Sequence, residues 1–205
     1  MSNNNESNKS IKREVMEWAF VLVFSIVITF IVKSNVFAMP MILESSMENT
    51  VFEGERIFEY KLNYLFKEPE RGDIIILDKY EESKGIIHNT YTDAKETLDT
   101  MLGQGKKRYL IKRVVGIPGD LIDIKDGYLY VNGEKVEEDY IKEQGETHPG
   151  AFSLPIKVPE NKVFVLGDNR EVSLDSRDLG PIDFKQVKGK VLYRIWPIDK
   201  IGSLY

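Results

Sequence analysis

The 205-residue sequence predicts a mainly β protein, an antiparallel sheet or partial barrel, behind one N-terminal transmembrane helix. Three observations carry that prediction. An uncharged apolar run follows Trp18 and ends at Lys33. Beyond residue 42 the chain breaks into short β-branched and aromatic runs separated by Gly, Asn and Asp. Between such runs stand Asp126-Gly127 and Asn132-Gly133, dipeptides suited to the positive-φ turns of two-residue hairpins.

The first ten residues, MSNNNESNKS, are polar and are expected to be disordered, within a head over residues 1–14. The anchor is expected over residues 15–35. Its uncharged part from Trp18 to Val32 is 15 residues, about 22 Å of helix at about 1.5 Å per residue. That falls somewhat short of a bilayer core. Trp18 at one interface, a snorkelling Lys33 and the apolar stretch 36–43 make up the difference. A soluble core helix would be expected to show a polar face, and this run shows none. Lys9, Lys12 and Arg13 precede it, so the positive-inside rule places the N-terminus in the cytoplasm and everything after Lys33 outside. The expected location is therefore the cell membrane, crossed once. The same pattern also fits a cleaved signal peptide, with small-residue spacing at Val36-Phe37-Ala38; either way the remainder is exported.

Strands are expected at residues 56–62, 73–77, 109–115, 121–124, 128–131, 163–166 and 191–196. Residues 78–108 interrupt this texture and read as a polar insertion with one helical pattern. There Ala94, Leu98 and Leu102 share a face, Asp93 and Glu96 suit a capping box, and Gly103 provides a stop. Residues 36–205 then form one external β domain.

Composition narrows the function. With a net charge of −5 and no dense Lys/Arg cluster, a nucleic-acid partner is not expected. The absence of cysteine excludes disulfides, thiol catalysis and cysteine-bound metal. The two histidines, His88 and His148, lie in polar, turn-rich stretches and support neither a zinc site nor a Ser/His/Asp triad.

Three segments carry candidate chemistry. In the first, residues 41–58, Ser45 and Ser46 stand beside Met47 just after the membrane run. A serine hydroxyl needs a base within hydrogen-bond reach to act as a nucleophile, and by itself this pair reads equally as a turn before a strand. In the second, residues 107–120, alternation sets Leu110, Lys112 and Val114 on one face. If that face is buried, desolvation lowers the lysine pKa towards a usable base; the other reading is an edge-strand lysine that discourages aggregation. In the third, residues 163–180, an apolar strand runs into a loop dense in Asp, Asn, Ser and Arg. Buried, those groups must satisfy one another; solvated, they make an ordinary loop.

Taken together and in this order, the segments resemble the sequence boxes of bacterial type I signal peptidases with a single membrane span. The resemblance rests on Ser46-Met47, Arg71-Gly72-Asp73, Lys112-Arg113-Val114-Val115-Gly116 with Pro118-Gly119-Asp120, and Gly167-Asp168-Asn169-Arg170 with Ser173, Asp175, Ser176 and Arg177. Arg194-Ile195-Trp196-Pro197 extends it to the C-terminal end. It implies a membrane-bound serine endopeptidase that removes signal peptides from exported preproteins, with residues 36–205 as the catalytic domain. By that resemblance Ser46 is the nucleophile, Lys112 the general base and Ser173 the group that orients the amine. Asp168 with Arg113, and Asp175 with Arg177, are the expected ion pairs of the supporting loop. The Ser46 N–H is the expected oxyanion donor, in a substrate and oxyanion region that includes Glu44, Ser45 and Met47. The substrate would lie extended, with small residues at the first and third positions before the cut. The bilayer is the other partner, and no cofactor or metal is implied. Two positions depart from the family pattern. Asn49 replaces a proline, which leaves the turn after the nucleophile less fixed, and Glu44 stands where the family carries Gly or Ser.

Overall fold

The computed structural model describes residues 3–80, 83–104 and 108–205. Its first element, α1 (Asn3–Asn35), is one helix of 33 residues. The stretch Ile11–Asn35 is long and apolar enough to cross a membrane, and every residue from 11 to 29 is exposed. Such apolar exposure is unfavourable in water and natural in hydrocarbon, where a helix satisfies its own backbone. The helix runs back to Asn3, which corrects the expected disordered head. Extending a helix already nucleated by the apolar run escapes the nucleation penalty, and Asn or Ser forfeits only a fraction of a kcal/mol against Ala.

The β domain holds two antiparallel sheets. The larger runs in the order β1 (Phe37–Ala38), β2 (Arg56–Tyr60), β11 (Val187–Trp196), β3 (Ile74–Asp78), β4 (Tyr109–Gly116), β9 (Lys162–Leu166) and β10 (Ile182–Asp183), with β12 (Gly202–Ser203) also on β11. It curls into a half-barrel. The smaller runs β7 (Glu134–Lys135), β6 (Tyr128–Val131), β5 (Leu121–Lys125) and β8 (Ile156–Lys157). Each of the seven expected strands is present. β11 starts four residues before the expected 191 because Lys188-Gly189-Lys190 breaks its apolar alternation at a register shift. The turns behave as expected: φ is 51° and 81° at Asp126 and Gly127, and 55° and 86° at Asn132 and Gly133.

All five residues of β3 are buried, and alternation divides its four apolar residues between two cores. Ile74 and Ile76 pack with Ile42, Met47, Val51 and Ile57, while Ile75 and Leu77 pack with Leu110, Val114, Val163 and Val165. A third core, around Val115, Ile122, Leu129, Phe164 and Leu166, joins the two sheets. β3 and β4 therefore lie in the middle of the molecule, a rigid base for a site.

Between β2 and β3 sits a single turn, α2 (Asn63–Phe66). The insertion forms α3 (Ile86–Met101), 16 residues long, and Gly103 follows its end with φ 73°. The expected capping box is wrong: the N-cap is Gly85, and Asp93 lies in mid-helix. Ile86, Ile87 and Tyr91 carry the apolar stripe two turns further back than Ala94. Asp93 serves tertiary contacts instead, accepting from the Tyr109 hydroxyl at 3.0 Å and pairing with Lys61 at 3.7 Å.

Candidate active site

Ser46 lies on the loop between β1 and β2. The neck of that loop is closed by Ile42 N–H donating to Glu55 O at 2.9 Å and Gly54 N–H donating to Ile42 O at 2.9 Å. Met47 and Val51 are fully buried and hold the loop against the first core. Met47, expected in the substrate region, is thus a core residue. A second loop clamps Ser46 from the other side: the Asn169 N–H donates to Ser46 O, and Asn169 Nδ2 to Ser45 O, each at 3.1 Å.

Lys112, at the centre of β4, has no solvent exposure, and Ser46 only 4%. The Lys112 Nζ is 2.7 Å from Ser46 Oγ and donates to Ile111 O at 2.8 Å. Burial pushes its ammonium down to about 8. The charges of Asp175, Glu44 and Asp168 act against that shift, while Arg177 adds to it. Of the two readings of this lysine, the structure has the buried one.

Ser173 makes no hydrogen bond to the amine. Its Oγ is buried without a hydrogen-bond partner among the described residues, and Lys112 donates to Ile111 O. The hydroxyl does lie near the dyad, because a Cβ at Gly167 would fall 2.2 Å from Ser173 Oγ and 2.5 Å from Ser46 O. Only glycine admits this approach of the two loops.

Both expected ion pairs form, each with two bonds. Arg113 reaches Asp168 through Nε at 2.9 Å and a terminal nitrogen at 2.7 Å. Arg177 reaches Asp175 at 2.9 Å through both Nε and a terminal nitrogen. Asp175 is also the N-cap of α4 (Ser176–Leu179) and accepts from the Gly167 N–H at 3.1 Å. Three contributors were not foreseen. Glu138 makes a buried two-bond pair with Arg170, at 2.5 and 3.0 Å. Tyr140 lies under the Arg113 guanidinium, 4.0 Å from ring centre to carbon. The Thr50 hydroxyl donates to Asp168. The signal available in sequence was Arg170 itself, since a buried arginine requires a carboxylate.

The turn after Ser46 is firmly set, contrary to the expectation at position 49. Asn49 takes φ 93°, which proline cannot adopt, and its Nδ2 donates to Tyr140 O at 3.0 Å and Ile141 O at 3.3 Å. Glu44 is half-buried and near enough to act on Lys112. A cleft of about 370 Å³ is lined by Met41, Leu43, Glu44, Ile76, Tyr109 and Ile111 among others; Glu44 and Ile111 are the lining residues nearest in sequence to Ser46 and Lys112. The Ser46 N–H donates to none of the described residues.

The family model described as signal peptidase, peptidase S26, matches residues 15–196. Signal peptidase I of Bacillus licheniformis is 34% identical, over 98% of this chain and 98% of that protein. Signal peptidase IB of Staphylococcus aureus (strain COL) is 33% identical, over 92% and 93%. The crystal structure of a signal peptidase I from Enterococcus faecalis V583 is 28% identical, with a TM-score of 0.42, covering 60% of this chain and 97% of that one.

Proposed function

We propose a residue-level mechanism from the premise that the chain belongs to the signal peptidase family, peptidase S26. It is a membrane-anchored serine endopeptidase that removes signal peptides. The observation that carries the mechanism is the 2.7 Å contact between a fully buried lysine amine and the Ser46 hydroxyl.

Neutral Lys112 accepts the Ser46 proton as Oγ bonds to the scissile carbonyl carbon. The oxyanion so formed takes a hydrogen bond from the Ser46 N–H. Collapse breaks the C–N bond, and the Lys112 ammonium passes its proton to the departing amine, the new N-terminus of the mature protein. The signal peptide stays esterified to Ser46. Water then attacks the ester as Lys112 takes one of its protons, and the second collapse returns that proton to Ser46 Oγ and frees the peptide acid, which loses its remaining proton to solvent as the carboxylate. With the amine at about 8, roughly one molecule in ten carries the neutral base at pH 7; an unperturbed lysine near 10.4 would offer fewer than about one in a thousand.

The cleft lined by Glu44 and Ile111 receives the substrate as an extended strand. Its first and third residues before the cut share a face, and small side chains there would lie against the largely apolar part of the lining formed by Leu43, Ile76 and Ile111. Lys12 and Arg13 hold the N-terminus in the cytoplasm, which puts the β domain on the side where preproteins emerge. Arg113–Asp168 and Arg177–Asp175 hold the supporting loop, while Ser45 gives its carbonyl to Asn169.

The test is cleavage of a preprotein ending its signal in Ala-x-Ala by the full chain in proteoliposomes. Ser46→Ala and Lys112→Ala are each expected to remove activity while keeping the wild-type circular dichroism. Turnover by folded Lys112→Ala overturns the assignment of the base.

A further inference from the structure

The insertion helix α3 is built inside out. Its inward face is polar: Thr92 is buried, and Asp93, Glu96 and Thr97 are half-buried. Asp93 meets the Tyr109 hydroxyl and Lys61, and Glu96 lies 3.9 Å from Arg108. Its outward face carries Ile87, Tyr91, Leu98 and Met101 at helical spacing, extended by Ile86 and Leu102 at the two ends. All six are exposed, Ile87 by 87% and Met101 by 81%. A helix facing water presents the opposite arrangement, and a continuous apolar stripe about 24 Å long at about 1.5 Å per residue needs a cover.

What covers it follows from where the helix is tied. Asn35, the last residue of α1, donates to Thr90 Oγ1 at 3.0 Å and accepts from Asn89 Nδ2 at 3.4 Å. Lys61 joins the same two elements, donating to Ser34 O at 3.3 Å and pairing with Asp93. The α1 surface is exposed up to residue 29 and becomes partly covered only from residue 30. α3 is therefore fastened to the membrane span where the span leaves the bilayer. Lys95, exposed at the edge of the apolar stripe, has a stem long enough to carry its charge to the headgroups.

We propose that α3 is a second membrane contact, an interfacial helix whose apolar face enters the headgroup and upper acyl region of the leaflet on the β-domain side. The contact limits rotation of the β domain about the anchor and holds the cleft at a fixed height over the bilayer. This rests on the membrane anchor, not on the identity of the catalytic residues or the direction of insertion.

The native chain lacks cysteine, so single probes can be placed cleanly. An environment-sensitive fluorophore is attached to Ile87→Cys, Met101→Cys, Val23→Cys or Glu134→Cys in the full chain, reconstituted in phosphatidylcholine/phosphatidylglycerol vesicles. The quenchers are lipids with a nitroxide at the headgroup, shallow acyl or deep acyl position, and a water-soluble nitroxide. Probes at 87 and 101 are expected to be quenched several-fold more by the shallow lipid nitroxides than the probe at Glu134 on β7, which meets only the aqueous quencher. Probes at 87 and 101 that behave like Glu134 overturn the proposal. So does shielding from both quenchers, or pyrene excimers at these sites, since either means a protein cover. The Val23 probe reports the span itself. Deep quenching there with none at 87 and 101 refutes α3 alone, whereas no quenching at Val23 refutes the anchor and with it the proposal.

Discussion

Replacing Lys112 with Met is expected to abolish cleavage and yet stabilise the protein at neutral pH. The native amine titrates at about 8 in full burial, and an unfolded lysine near 10.4. Below pH 8 both states hold the proton, and folding carries the whole cost of burying an ammonium. As pH rises through 8 the native amine loses its proton, while the unfolded chain keeps its own until about 10.4. The unfolded state then binds more protons, so stability increases with pH across that window and no further above it. A gap of roughly 2.5 units at about 1.4 kcal/mol each makes this cost about 3 kcal/mol. Met has similar length and no charge, but it loses the bonds to Ser46 Oγ and Ile111 O, worth about 1 kcal/mol apiece. The variant should gain about 1 kcal/mol at pH 7, or a few degrees in Tm for a chain of this size. It should lose about 2 kcal/mol by pH 10.5, so the order reverses. The assay is paired thermal unfolding of full-length wild type and variant in one detergent, from pH 7 to 10.5. A stability difference constant over that range would refute the reasoning, because it would mean that no buried ammonium is being relieved.

Glu44→Gln removes a charge that raises the Lys112 pKa; the acid limb of kcat/KM should move to lower pH and activity near pH 7 should rise, whereas superimposable profiles would show no coupling. Arg170→Met leaves Glu138 buried and unpaired, which should remove about 3–5 kcal/mol, or roughly 10 °C in Tm; the added change Glu138→Leu should recover most of that loss in the same unfolding scan. Asn49→Pro forces φ away from 93° and should lower both Tm and kcat, while Asn49→Gly keeps the backbone and should lower Tm by about 1 kcal/mol equivalent. If the proline variant matches wild type in both measurements, the turn does not depend on that conformation.

The fold was legible where one residue's neighbours in sequence are also its physical environment. β3 announces itself as Ile-Ile-Ile-Leu because both faces of the central strand are covered. Lys112 stood out as a charge inside an apolar strand. Local patterns misled where a spacing recurs for another reason: Asp93 and Glu96 have the separation of a capping box, yet they face Tyr109, Lys61 and Arg108 from mid-helix. The partner of Arg170 was beyond reach for a different reason. Glu138 is 32 residues away, in a loop whose acidic composition looks like any solvated stretch.

The departure at Asn49 connects these distant pieces. Proline at that position would limit the turn through its own ring, acting chiefly on the unfolded chain. Asn49 acts in the folded state, by bonding to the carbonyls of Tyr140 and Ile141. The same segment sends Glu138 to Arg170, and Arg170 Nε returns to Gly167 O at 2.9 Å. Gly167 in turn lies against Ser46 O and Ser173 Oγ, and Asn169 holds the carbonyls of Ser45 and Ser46. The nucleophile turn is thus bound on both sides by one closed network, turn to segment 138–141, segment to loop, loop to turn. A substitution at any of the three contacts should be felt at Ser46 Oγ, because each contact leads back to the turn that carries it.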